Sequence, residues 1–144
     1  MVSATTNGTR RPSRDGVGDR AARRNVHEAL IVLRSAVPDL LGSLVASVDG
    51  LPLAHDVGGD DPAGIAAMAA TAAGLGKRLI ENFSFGEFDE SVVRARNGYF
   101  VVYSAGPLAV LATTATAGAN LGRLHLEARR CALRVALALE GGSR

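Results

Sequence analysis

The sequence predicts an α/β domain of the α+β sandwich kind: a five-stranded, mostly antiparallel sheet with one central helix on one face and two terminal helices on the other. Three observations carry this. The hydrophobic period changes along the chain in the order α-β-β-α-β-β-β-α. Hairpin dipeptides at Asp49-Gly50 and Asn97-Gly98 join neighbouring strands and make them antiparallel. Runs such as Phe100-Val101-Val102 and Leu108, Val110 and Leu111 are apolar on both sides, so both faces of the sheet need a cover.

The first helix is expected from Arg20, with Asp19 as its N-cap, because Val26, Ala29, Leu30, Leu33 and Val37 fall on one helical face. Pro38-Asp39 ends it. Leu40 to Val48 then reads as a strand, Asp49-Gly50 as its turn and Leu51 to Val57 as the return, with Pro52 marking an edge position. Asp61 and Pro62 are placed as N-cap and first helical residue of the central helix, Ala63 to about Phe83. No charge appears between Asp61 and Lys77 in this helix. At about 100° per residue, Ile65, Met68, Ala69, Ala72, Leu75, Leu79 and Phe83 form its expected core face. Ala67, Ala70, Thr71 and Gly74 form the opposite face, and a helix apolar all round is normally covered all round.

Phe88 to Arg96, Tyr99 to Ser104 and Leu108 to Thr114 form a meander, turning at Asn97-Gly98 and Gly106-Pro107. The last helix is expected from about Ala119 to Glu140. Leu121, Leu124, Ala128, Cys131, Ala132, Val135 and Leu139 point inward, and Arg123, Glu127, Arg130 and Arg134 form a solvated face with one i, i+4 ion pair. Gly141-Gly142 is its stop.

A chain of 144 residues, 47% apolar and 21% charged, holds one compact domain and is neither fibrous nor wholly disordered. The domain is placed at residues 20–141, after a disordered basic leader at residues 1–19. The net charge of +2 is uneven: residues 1–24 hold six arginines and two aspartates, +4, and the other 120 residues hold ten bases and twelve acids, −2. The basic pI thus describes a tail rather than a nucleic-acid-binding fold. That tail offers phosphate neutralisation alone, without interleaved aromatics to stack on bases, and an anionic membrane or acidic partner would attract it equally. The leader has no apolar run to act as a signal, and no window reaches the roughly 18 apolar residues of a membrane span. A single cysteine, Cys131, builds neither a disulfide framework nor a cysteine-rich metal site within one chain, which fits a reducing cytoplasm.

Enzyme motifs do not assemble. Gly76-Lys77-Arg78 echoes the end of a phosphate loop, but position 71 is Thr and the residue after Lys77 is Arg, so the phosphate cradle is missing. There is no G-x-S-x-G elbow, and Ser84, Ser91 and Ser104 have no positioned base. His55, Asp56, Asp60 and Asp61 have acceptable metal-ligand chemistry, yet a strand end, a glycine loop and a helix cap place the same residues there. His27 and His125 read as polar edge positions. Glu87, Asp89 and Glu90 read as a solvated strand end or as the charged rim of an interface. No catalytic residue, metal ligand or cofactor-binding residue is assigned.

Ser47-Val48-Asp49-Gly50-Leu51-Pro52-Leu53-Ala54, the helix ending Gly74-Leu75-Gly76-Lys77-Arg78-Leu79, the strand Glu90-Ser91-Val92-Val93-Arg94 and Asn120-Leu121-Gly122-Arg123-Leu124 resemble the roadblock/dynein light-chain family. The form resembled is the bacterial one associated with small Ras-like GTPases. The match runs over about residues 25–139, and its specificity lies in the order and spacing of the segments. The resemblance implies strand order 2-1-5-4-3 and a homodimer in which central helices pair and third strands meet. Ala67, Ala70, Thr71, Gly74, Val92 and Arg94 are the expected dimer residues, small side chains letting helix backbones approach; Gly74→Glu is expected to split the dimer, or to destabilise the fold if the charge cannot escape burial. The resemblance further implies a non-catalytic regulator or scaffold without cofactor. It would bind a small Ras-like GTPase and modulate its nucleotide state or location in a bacterial signalling or polarity system. The alternative is an adaptor linking a sensor-kinase-like protein to other partners without touching the GTPase. Lys77, Arg78 and Glu81 are the expected partner contacts, plain solubilising charges being the other reading. Either function places the chain in the cytoplasm, with its partners as the route to a membrane.

Overall fold

The computed structural model describes residues 14–142 apart from Asp60. The elements are α1 (Arg14–Ala36), β1 (Leu40–Ser47), β2 (Pro52–Asp56), α2 (Pro62–Glu81), β3 (Glu90–Ala95), β4 (Gly98–Ser104), β5 (Ala109–Thr116) and α3 (Leu121–Gly142). The strands form one antiparallel sheet in the order β2-β1-β5-β4-β3. This is the expected architecture. It arises because β5 inserts between the two hairpins, its centre pairing Val45 on one side and Tyr103 on the other through Leu111.

Alternation along the strands sends side chains to two cores. Val45, Val101, Tyr103 and Leu111 meet Val26, Leu30 and Leu33 of α1 and Leu124, Ala128, Cys131 and Val135 of α3. Each large side chain buried there contributes roughly 1.5–3 kcal/mol. On the other face Leu44, Ala46, Val102, Val110 and Ala112 meet Ala66, Ala69 and Ala73 of α2. The terminal helices thus share one face and α2 alone covers the other.

Several boundaries and contacts correct the sequence reading. Helix α1 begins at Arg14, so the limit set at residue 19 falls inside the helix and Asp19 is not a cap; the remainder of the expected leader, residues 1–13, lies outside the described residues. Gly16 and Gly18 each cost about 1 kcal/mol of helix propensity relative to Ala, which is why the pattern reads as ending there. Helix α3 runs through Gly142 rather than stopping before Gly141. Glu127 pairs with Arg130 at i, i+3, while Arg123 donates its Nε–H to the Ala36 carbonyl at 3.0 Å. Asp61 holds the N-cap position of α2 with extended backbone, but its carboxylate makes no capping bond.

Two turns differ in what they ask of glycine. Gly50 has φ of 91°, the left-handed region that glycine enters without strain, and closes the β1–β2 turn by donating to Ser47 O at 2.9 Å. Gly98 instead already belongs to β4 and pairs with Ala95, leaving Arg96-Asn97 as the loop, and no non-glycine residue among those described has positive φ. Its requirement is close approach, since a Cβ there would lie 2.8 Å from the Ala115 carbonyl oxygen.

Among the described residues, one buried side-chain group is unmatched. The Ser43 hydroxyl on β1 is buried without a hydrogen-bond partner. Leaving such a group unpaired costs about 1–3 kcal/mol. Ser43→Ala is therefore expected to raise the stability of the chain by about 1 kcal/mol in urea unfolding; a loss of stability would show that the hydroxyl has a partner.

Candidate interaction surface

Helix α2 presents to the sheet a side that overlaps the expected core face only in part, keeping Ala69 buried and Ile65 and Ala72 partly buried against the core. Its buried residues are Ala66, Ala69 and Ala73, whereas Met68, Leu75 and Leu79, expected in the core, are 60%, 58% and 57% exposed. Small side chains let the helix lie close on Val102 and Ala112, and at that spacing there is no room for Leu or Met beneath it. Gly76 extends the same contact, lying directly on the ring of Phe88. The large residues are displaced outward as a stripe: Met68, Leu75 and Leu79 follow i, i+7, i+11 and are exposed, with Ala72 at i+4 partly buried against the core.

The residues expected at the dimer seam fall on another part of the helix. Thr71 is exposed beside the stripe and returns its hydroxyl to the Ala67 carbonyl at 2.8 Å. Ala67 and Ala70 flank the β1–β2 turn: a Cβ on Gly50 would be 3.4 Å from Ala67 Cα and 3.8 Å from Ala70 Cβ. Gly74 is half-buried, and a Cβ added there meets nothing within 4 Å. The chain's own turn therefore occupies part of this flank.

Beyond α2, Phe83 and Phe85 stack with centroids 4.9 Å apart and planes 9° from parallel, and both are exposed, Phe85 by 75%. An open groove of about 990 Å³ lies at the other end of α2, lined by Ile65, Met68, Leu44, Phe100 and Ala112. Strand β3 ends the sheet with an unpaired outer edge, and Val92, Val93 and Arg94 on it are exposed. The opposite end strand, β2, is shorter and begins with Pro52, which blunts it as a pairing edge. Lys77 and Glu81 border a depression at the C-terminal end of α2 that also takes in Phe83 and Phe88, with Arg78 exposed next to it.

The acidic cluster before β3 is divided. Glu87 and Asp89 are exposed, but Glu90 accepts from Arg129 Nε at 3.3 Å and from its Nη2, tying β3 to α3. Asp56 pairs with Arg34, and His55 stands exposed beside it; Asp60 lies outside the described residues. His125 has a role that no spacing announced. Its Nδ1 lies 2.7 Å from the hydroxyl of the buried Tyr103. Burial first, and the Glu90 charge second, push the Tyr103 pKa up, so the phenol keeps its proton and shares a hydrogen bond with Nδ1 whose direction follows the imidazole tautomer.

Cys131 sits between α1 and α3, its Sγ 3.5 Å from the Ala29 carbonyl. Burial pushes its pKa up to about 12 from 9.0, so it is a packing residue and no poised nucleophile. Because the folded pKa is the higher, the thiol's contribution to stability is complete below pH 9 and is lost as pH rises toward 12. Unfolding free energy is expected to fall in that window by up to about 1.4 kcal/mol per pH unit, with a shallower slope in Cys131→Ala. Equal slopes in urea titrations of the two proteins would refute this.

These features define an α+β sandwich with an exposed apolar stripe on its central helix and an unpaired, partly apolar strand edge. The chain belongs to the Roadblock/LC7 domain family, whose model matches residues 26–115. It is similar to an MglB structure with a tetrameric arrangement, at TM-score 0.77 and 22% identity over 85% of this chain and 93% of that one. The gliding protein MglB of Thermus thermophilus superposes with TM-score 0.75 and 22% identity, covering 83% and 92% of the two chains. A Roadblock/LC7 domain from Streptomyces avermitilis gives 0.72 and 25% identity over 79% and 97%. No curated protein matches the chain. Among the described residues, no helix is long and apolar enough to cross a membrane.

Proposed function

We propose that the chain is a non-catalytic, homodimeric regulator or scaffold that binds a small Ras-like GTPase and acts on its nucleotide state or location in a bacterial signalling or polarity system. The observation that carries the dimer is the apolar stripe of Met68, Leu75 and Leu79, exposed on the helix that covers its sheet face alone, with the half-buried Ala72 between them. Two copies of α2 running antiparallel about the middle of this stripe set Leu79 against the partner's Met68 and Leu75 against its Ala72. The same alignment carries Phe83 and Phe85 toward the far end of the partner helix, where the groove beside Ile65 and Phe100 is open. Edge-to-edge pairing of β3, with Val92 and Arg94 near the contact, supplies main-chain hydrogen bonds. A stable interface of this kind buries about 800 Å² per partner. Thr71 adjoins this seam, while Ala67, Ala70 and Gly74 belong to its margin.

Binding of the GTPase rests on family membership, and Lys77, Arg78 and Glu81, grouped at one end of α2, are the proposed contacts. A role of this kind needs no active site on this chain, because the catalytic arginine or glutamine can reside on the GTPase. Mixed with its cognate Ras-like GTPase, the full chain is expected to co-elute in at least one nucleotide state or to change GTP turnover. Neither effect in any nucleotide state would overturn the reading. Retention of a sensor-kinase-like protein without the GTPase would replace it with the adaptor function.

A further inference from the structure

A second apolar surface lies on the other layer, where the α2 and β3 contacts do not reach. Leu126, Leu133 and Leu137 are exposed on α3 at i, i+7, i+11, one line along the helix side opposite its buried residues Leu124, Ala128, Cys131 and Val135. Val32 of α1 is exposed as well, and with Leu137, Ala29 and Ala138 it lines a shallow groove between the two helices, bordered by Glu28 and Arg134. Both helices have already buried an inner stripe in the sheet, so this outer line is surplus to the fold.

Charge separates the layers with opposite sign. Helices α1 and α3 together hold nine arginines and five acids, net +4, whereas residues 37–120 hold four bases and nine acids, net −5. On α3, Arg130 and Arg134 lie one turn from Leu133 and Leu137 and are exposed. Arg130 reaches Glu127 at 3.4 Å, and Arg134 meets no carboxylate among the described residues.

We propose that this face seats an amphipathic helix from another protein, with an apolar stripe on Leu126, Leu133, Leu137 and Val32 and with aspartates or glutamates along its edges facing Arg130 and Arg134. Val32 and Leu137 line the groove between the two helices, and Leu126 and Leu133 continue the apolar line along the crest of α3 beside it, a setting in which an amphipathic helix packs. The flanking arginines choose the charge of the occupant and speed its encounter. A like face from a second copy would set Arg130 and Arg134 against arginines of the same kind. An anionic bilayer fits less well, since neither helix has an aromatic residue to anchor at a lipid interface and Glu28 borders the groove.

The test uses the full chain and labelled synthetic amphipathic helices that share one leucine stripe and differ only in glutamate or lysine flanks. Fluorescence anisotropy is expected to show the glutamate-flanked helix binding about tenfold or more tightly than the lysine-flanked one, a difference of about 1.4 kcal/mol. Leu133→Ser with Leu137→Ser is expected to abolish binding, and Arg134→Glu to erase the charge preference, while thermal melting confirms that each variant folds. The proposal is independent of the dimer: a variant made monomeric through α2 binds the same peptide. Equal affinity for both helices, binding unaffected by the leucine and arginine changes, or retention on phosphatidylglycerol vesicles but not by the glutamate-flanked helix would overturn it.

Discussion

Leu75→Glu is expected to convert the dimer to a monomer without unfolding the subunit. Leu75 stands in the middle of the exposed stripe, outward from the sheet, so within one copy the new carboxylate remains in water. Exposed substitutions of this kind change stability by roughly 0.5 kcal/mol or less. In the proposed dimer the same position faces the partner helix, and two-fold symmetry brings in two carboxylates at once. An uncompensated charge in a buried contact costs about 3–5 kcal/mol, so the dimer dissociation constant should rise by at least about a thousandfold. Leu79→Asp should act in the same direction. Gly74→Glu should act more weakly, because its side chain leaves the helix on the flank that carries Ala70 and the β1–β2 turn. Sedimentation equilibrium over a concentration series separates these outcomes. A dimer unmoved by Leu75→Glu would place the seam off this stripe, and an unsubstituted chain that sediments as a monomer would remove the dimer.

The stripe also shows where a sequence pattern stops being informative. Between Asp61 and Lys77 the central helix has no charged side, and the rule that large apolar residues face inward set the core face about a quarter-turn off: Ala69 is buried and Ile65 and Ala72 pack on the core, but Met68, Leu75 and Leu79 are exposed. What decides the matter is the gap between helix and sheet, a tertiary quantity that local periodicity does not encode. Helices α1 and α3 were legible because Val26, Ala29, Leu30 and Leu33 and then Leu124, Ala128, Cys131 and Val135 keep a helical spacing that no charge interrupts, although Leu126, Leu133 and Leu137 add a second apolar line to α3. The hairpins were legible through Asp49-Gly50 and Asn97-Gly98, yet only the first uses its glycine for positive φ. Strand order came through the family resemblance, since nothing local places β5 between β1 and β4. The Tyr103–His125 contact joins a strand to a helix far along the chain, and neither residue type nor spacing signals it. The proposed partner-facing residues Lys77, Arg78 and Glu81 were visible because they are the first charges after an uncharged run.

Gly76→Val is the substitution expected to damage both the fold and the proposed seam. A Cβ at Gly76 would lie 3.1 Å from Phe88 Cζ, 2.9 Å from Cδ2 and closer still to Cε2, so the ring must leave its place. Phe88 packs against the core under α2 and lies just ahead of β3, and its ring thereby fixes the spacing between the stripe and the strand edge. Overpacking of this kind costs typically about 1–3 kcal/mol, and a β-branched residue has few rotamers with which to escape. Gly76→Ala makes the cause separable. Within a helix, Ala is favoured over Gly by about 1 kcal/mol, so the alanine variant alone should be offset toward a small net loss. In a Phe88→Ala background the overlap vanishes, and the same Gly76→Ala change should instead stabilise by about 1 kcal/mol. Urea unfolding of the four proteins in this cycle reads the sign directly. If Gly76→Ala has the same effect with and without the Phe88 ring, the two residues are not in contact, and the proposed coupling between α2 and the β3 edge has no physical basis.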